Sequence, residues 1–206
     1  MLPEPADWSD RGDNVTAMNE DKAHAGRALV VVIDDEVDAH PDTIGALVSE
    51  LLAEDGFIVD AVVGVRSDVD EIRHALETAV VGGVDAVITL GGTGAGLRDV
   101  TPEATEEILD KRLLGIEQAI RFSAIGASVM DAVTSRGVAG ISGSTVIVNI
   151  ASSRAAVRDG MSTVAPLVAF VVNELSADFD EFDDDVLAEL GDSADFDEAD
   201  MDFSRN

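Results

Sequence analysis

Between residues 28 and 175 short unbroken apolar runs alternate with stretches whose apolar residues recur every three or four positions. Residues 28–33 form such a run, the pattern of a strand buried on both faces. Residues 42–53 carry Ile44, Leu47, Val48, Leu51 and Leu52 on one helical stripe that stops near Gly56. Residues 57–63 and 86–90 predict two more strands, and between them a helix over 68–81 turns Val69, Ile72, Leu76, Ala79 and Val80 inward. Thr101 followed by Pro102 predicts an N-cap with proline at the first helical position, opening a helix to about Lys111. Residues 115–133 read as helical with a break at Gly126, and 138–141 and 145–150 as strands around Ser142-Gly143. A long apolar helix over 154–175, kinked at Pro166, closes the pattern. Alternation of this kind predicts a three-layer α/β/α sandwich, Rossmann-like, on a mostly parallel sheet.

The flanks read differently. Residues 1–27 have no sustained apolar period and predict a mobile acidic arm, and residues 176–206 hold thirteen acids and one base and predict an acidic disordered tail. Net charge is −29, from 42 acids against 13 bases, and the bases are eleven Arg and two Lys. No basic face is available for a phosphate backbone, which argues against nucleic acid. Without Cys there are no disulfides, thiolate metal sites or cysteine nucleophiles. No apolar stretch suggests a membrane span, and the acidic N-terminus is unlike a signal peptide, so a cytoplasmic protein is expected. An acid-rich, Lys-poor surface on an ordinary core suggests a halophilic protein, because molar salt screens carboxylates that repel in dilute buffer.

In an open α/β sheet ligands bind beyond the carboxyl ends of the strands. Four segments fall there: Asp34-Asp35-Glu36, Val65-Arg66-Ser67-Asp68, the glycine-rich loop from Gly91 to Asp99, and the stretch from Asn149 to Arg154. Gly91, Gly92, Gly94 and Gly96 let backbone amides approach an anion, and Thr93 adds a hydroxyl. The loop lacks the Lys-Ser/Thr of a Walker sequence and is not a dinucleotide fingerprint. Arg98 suits a phosphate, and Asp99 suits Mg²⁺, which takes one or two carboxylates plus phosphate oxygens. Asp68 also reads as a plain helix N-cap, and Arg98 and Arg136 equally as anion anchors or surface ion pairs. His24, His40 and His74 lack metal-site spacing and read as solvent-facing.

The run from Thr89 to Thr105, Thr-Leu-Gly-Gly-Thr-Gly-Ala-Gly-Leu-Arg-Asp-Val-Thr-Pro-Glu-Ala-Thr, resembles the signature of the molybdopterin-binding, MogA/MoaB-type family of molybdenum cofactor biosynthesis proteins. Ser135-Arg136-Gly-Val-Ala-Gly140 is also similar to that family. The resemblance spans about 28–175 and implies the α/β/α fold, a homotrimer or homohexamer, and a partner that inserts molybdenum. It implies transfer of AMP from MgATP to the terminal phosphate of molybdopterin with release of pyrophosphate; other members are non-catalytic binding or scaffold proteins. By the same resemblance Asp68 and Asp99 match functional aspartates that hold Mg²⁺, and Gly91, Gly92, Thr93 and Gly94 match the loop cradling pterin or phosphate. Asp35 and Ser135 fall at family positions of the substrate pocket. The sequence departs from the pattern after its last strand, where a Pro-Gly-containing turn is replaced by Ala151-Ser152-Ser153-Arg154, in which Ser152 offers a replacement donor. A second departure is Leu114-Gly115 in place of Pro-Gly.

Overall fold

The computed structural model describes residues 26–35 and 42–192, with side chains described for 26–35 and 43–177. Its six strands form one sheet in the order β2-β1-β3-β6-β5-β4. β1 (Gly26–Ile33) lies between β2 (Phe57–Val65) and β3 (Ala86–Leu90), and β6 (Thr145–Ile150) lies beyond β3, all four parallel. β5 (Ala139–Ser142) pairs antiparallel with β6, and β4 (Lys111–Arg112) antiparallel with β5. Every residue of β3 and β6 is buried, as unbroken apolar runs require at the centre of a covered sheet. β2 is the edge. Its register with β1 shifts between Ala28 and Leu29, and Asp60 there pairs with Arg27 at 2.5 Å. A bulge and a charge pair both blunt an edge that would otherwise invite another strand.

Helices cover both faces. α1 (Asp42–Glu54), α4 (Leu114–Ala127) and α6 (Arg154–Asp192) bury Val48, Leu52, Ile116, Ile120, Val157 and Met161 against one face. α2 (Val69–Val81) and α3 (Thr101–Glu106) bury Ile72, Leu76, Ala79 and Ala104 against the other. α5 (Met130–Val133), a single turn, packs Ala132 with Ala124 and Ala156. The three-layer sandwich expected from the alternation is therefore present.

Several boundaries move. The N-cap of α3 is Val100, with no side-chain cap, because the Thr101 hydroxyl reaches the Gly91 carbonyl instead (2.9 Å). α3 stops at Glu106 rather than near Lys111, since Asp110 N bonds Ile141 O and the chain then enters the short edge strand β4. α4 runs through Gly126 and ends at Ser128, whose φ of 57° is left-handed. α6 continues past Leu175 to Asp192 with Pro166 inside it, so residues 176–192 extend a helix where a tail was expected; residues 193–206 and the arm at 1–25 lie outside the described residues. Contrary to the sequence expectation, Arg154–Ala177 is long and apolar enough to cross a membrane. Its Val157, Met161, Val164 and Val168 are buried in the core of the sandwich, which explains that composition without a bilayer.

Candidate functional site

The loops leaving β1, β2, β3 and β6 meet at the carboxyl edge of the sheet, and side chains tie three of them together. Arg98 Nη2 donates to Asp35 Oδ1 at 2.5 Å and, more weakly, to Ser67 O at 3.4 Å; Ser67 N donates to the same Asp35 oxygen at 3.2 Å. The hydrogen bond from Arg98 holds the Asp35 carboxyl below its ordinary range, and the pairing raises the Arg98 guanidinium in turn. Both side chains remain largely in solvent, so the pair is a weak link that a stronger anion can displace. From β6, Ser152 abuts the glycine loop: a Cβ on Gly91 would lie 3.4 Å from its Cβ.

Each glycine in the loop has its own task. Gly91 and Gly92 have φ of +98° and +63°, which turn the chain out of β3. A Cβ on Gly91 would press on Ile33 O at 2.9 Å, and one on Gly92 would strike the Thr101 hydroxyl. Gly91 N bonds Ile150 O, and Thr101 N bonds Gly92 O, so these two glycines seat the loop on the sheet and α3. Gly94 and Gly96 instead make room for a carboxylate. A Cβ there would sit 2.7 and 2.9 Å from Asp99 Oδ2, which accepts from Gly96 N at 2.8 Å. The amides of Gly92, Thr93, Gly94 and Ala95 have no acceptor among the described residues. Thr93, the expected hydroxyl donor, is itself buried.

Asp68 caps α2, its Oδ1 accepting from Asp70 N and Glu71 N at 3.0 and 3.1 Å. Asp68 and Asp99 thus resemble each other: one oxygen is fixed by backbone amides, while the second accepts no hydrogen bond among the described residues. Asp68 also adds to the field that raises Arg98, which places it at the same mouth. No three His, Cys, Asp or Glu side chains converge as a metal cage among the described residues. That donor set still fits Mg²⁺ completed by phosphate oxygens, as this hard cation prefers.

Arg136 takes the ion-pair alternative and also binds the glycine loop. Its Nε donates to Gly94 O at 2.7 Å and its Nη2 to Asp99 O at 2.5 Å, while Nη1 meets the Glu103 carboxylate. Its amide bonds Thr93 O at 2.8 Å. Ser135 caps its own turn, accepting from Gly137 N at 3.1 Å, and precedes Arg136, whose amide bonds the loop. Arg66 and Arg154, by contrast, are exposed at this mouth with no ion-pair partner among the described residues. His74 is exposed on α2, as expected; His24 and His40 lie outside the described residues.

Two supports beneath the site were not singled out from the sequence. Asn149, buried on β6, donates to the hydroxyls of Thr89 (2.9 Å) and Thr105 (3.0 Å) and accepts from Val138 N, fastening α3 to the sheet. Glu117, only 5% exposed, pairs with Arg112 at 2.8 Å and Arg121 at 3.5 Å and accepts from Ala139 N. The available signal was a polar residue inside an apolar run, Val-Ile-Val-Asn-Ile and Leu-Gly-Ile-Glu-Gln-Ala-Ile.

A doubly covered, mostly parallel sheet with an amide-lined loop and aspartates at its carboxyl edge defines a Rossmann-like protein. Comparison with known proteins makes this specific. The family described as "Probable molybdopterin binding domain" matches residues 29–169, and the chain belongs to it. "Molybdenum cofactor biosynthesis protein B" of Halalkalibacterium halodurans is 31% identical over 155 residues, 74% of this chain and 91% of that protein. "Molybdopterin adenylyltransferase" of Helicobacter pylori is 37% identical over 89 residues, 43% of this chain and 50% of that one. The crystal structure of a molybdopterin biosynthesis protein from Mycobacterium abscessus superposes with a TM-score of 0.71 at 58% identity, covering 74% of this chain and 98% of that one.

Proposed function

We propose that the protein acts in molybdenum cofactor biosynthesis as a molybdopterin adenylyltransferase. The observation that carries this reading is the loop from Gly92 to Ala95, whose amides have no acceptors among the described residues, at the same edge of the sheet as two half-engaged carboxylates, Asp68 and Asp99. A phosphate oxygen of molybdopterin attacks the α-phosphorus of ATP; the new P–O bond forms as the α–β bond breaks, and pyrophosphate leaves. The loop amides hold phosphate oxygens where charge develops, and the two aspartates fix the line of approach. Asp68 and Asp99 would hold Mg²⁺, which when bound neutralises the phosphate charge. Arg98 exchanges Asp35 for a phosphate, and Arg66, Ser152 and Arg154 line the same mouth. A cytoplasmic location would supply the ATP, and the adenylylated product suits a molybdenum-inserting partner.

The protein is read as a homotrimer or homohexamer. Phe122, Ile125, Met130 and Phe170 are 49 to 72% exposed on α4, α5 and α6, an apolar surface suited to a second copy. Light scattering should give three or six times the 21.5 kDa chain. Phe122→Glu should reduce that mass, and an unchanged mass would remove this surface from the assembly.

Purified protein should release pyrophosphate from ATP only when molybdopterin is supplied. Asp99→Asn should lose that release with its fold intact. One observation favours a second reading: the turn from Ala151 to Arg154 lacks the glycine and prolines that the resemblance implies. Molybdopterin binding with no pyrophosphate release would select a non-catalytic binding or scaffold protein.

A further inference from the structure

We infer that Arg136 is the positioning residue that closes the glycine loop and aims Asp99. One guanidinium bridges the loop, gripping the Gly94 carbonyl near its middle and the Asp99 carbonyl at its end (2.7 and 2.5 Å). Its own amide holds Thr93 O at 2.8 Å, so three carbonyls of one loop converge on one residue. Glu103, on α3, supplies the counter-charge and ties this grip to the helix that follows the loop. Arg136 is itself held from behind. Arg121 donates to Gly137 O at 2.9 Å and Ser135 O at 3.4 Å, the carbonyls on either side of it, and buried Glu117 pairs with Arg121. A planar fork with several donors suits this task, and a lysine, as a point charge, cannot satisfy the same carbonyls together. With the loop pinned at Gly94 and Asp99, the Asp99 carboxylate meets Gly96 N, and its second oxygen accepts no hydrogen bond among the described residues. The catalytic part of this inference rests on the adenylyl-transfer reading; the loop closure does not.

The test compares Arg136→Met, Arg136→Lys and, as a control that loses an exposed ion pair remote from the loop, Arg27→Met. Hydrogen exchange of the Gly96 and Asp99 amides reports closure directly, because both are bonded within the loop. These amides should exchange at least about tenfold faster in Arg136→Met, with Arg136→Lys intermediate and Arg27→Met unchanged. In the same proteins kcat should fall about a hundredfold in Arg136→Met, the scale of a misplacement near 1 Å, while KM for molybdopterin moves less than about threefold. Unchanged exchange in Arg136→Met overturns the inference, whatever happens to turnover. Faster exchange with wild-type kcat overturns the link to Asp99. A wild-type protein that releases no pyrophosphate would sink adenylyl transfer alone, and the exchange result would still decide the closure.

Discussion

Replacing Gly94 with alanine isolates what the glycine loop does for Asp99. Gly94 does not have a positive φ, so its backbone accepts alanine without strain. The new Cβ meets only the end of a short side chain, Asp99 Oδ2 at 2.7 Å. Ordinary contact begins at 3.4 Å, so the carboxylate must retreat by about 0.7 Å, which disturbs its 2.8 Å bond from Gly96 N and at most breaks it. One such hydrogen bond is worth about 1 kcal/mol, and Gly→Ala returns about 0.4–1 kcal/mol by narrowing the unfolded ensemble. The melting temperature should therefore fall by less than about 4 °C in a chain of this size. Turnover is far more sensitive: if 1 Å costs about a hundredfold, this displacement should lower kcat roughly tenfold or more. Gly92→Ala is the contrast. Its φ of +63° costs about 1–2 kcal/mol for alanine, and the Cβ strikes the Thr101 hydroxyl that holds Gly91 O, for about 1 kcal/mol more. That variant should melt roughly 4–12 °C lower. Calorimetry beside a pyrophosphate-release assay reads both effects. Wild-type kcat in Gly94→Ala would refute the claim that the position of the Asp99 carboxylate matters, and a melting temperature as low as that of Gly92→Ala would refute the claim that the contact is local.

Asp68→Asn keeps an N-cap acceptor for Asp70 N and Glu71 N, whereas Asp68→Ala should cost about 1 kcal/mol of stability; both should lose pyrophosphate release, and full activity in the asparagine variant would leave Asp68 as a cap alone. Hydrogen bonds from Arg136 and Arg98 depress Glu103 and Asp35, so their contribution is complete above the unfolded carboxyl values and fades as pH falls below about 4. Glu103→Gln should accordingly flatten the decline of melting temperature between pH 6 and 3, and an identical slope would show that the pair adds nothing. If the acidity is a salt adaptation, melting temperature should rise with KCl toward molar concentration; a fold equally stable in dilute buffer would count against it.

Much of this fold was legible because its strands are buried on both faces. Residues 28–33, 86–90 and 145–150 have no polar alternation to confuse them, and they were placed almost to the residue. Charged β4 carries no such signal, since Lys111 and Arg112 form a strand only through the hairpin of β5 and β6 opposite them. Local rules also mislead where a side chain has a distant partner. Thr101 before proline looks like a cap, but its hydroxyl is taken by Gly91, ten residues earlier. The loop and its carboxylates could be read as a candidate site because glycines and aspartates cluster in sequence. Arg136 could not be assigned, since the carbonyls it binds lie 37 and 42 residues away.

All nine ion pairs among the described residues are built on arginine, and two of those arginines, Arg98 and Arg136, lie at the mouth of the site. Arg66 and Arg154 stand at that mouth with no ion-pair partner among the described residues, but a chain of net charge −29 still presents a distant nucleotide with a field of the nucleotide's own sign. Encounter is then opposed at long range and won only within the last few ångströms. Added electrolyte should therefore speed nucleotide association, the reverse of the slowing seen when a basic cleft draws its ligand in.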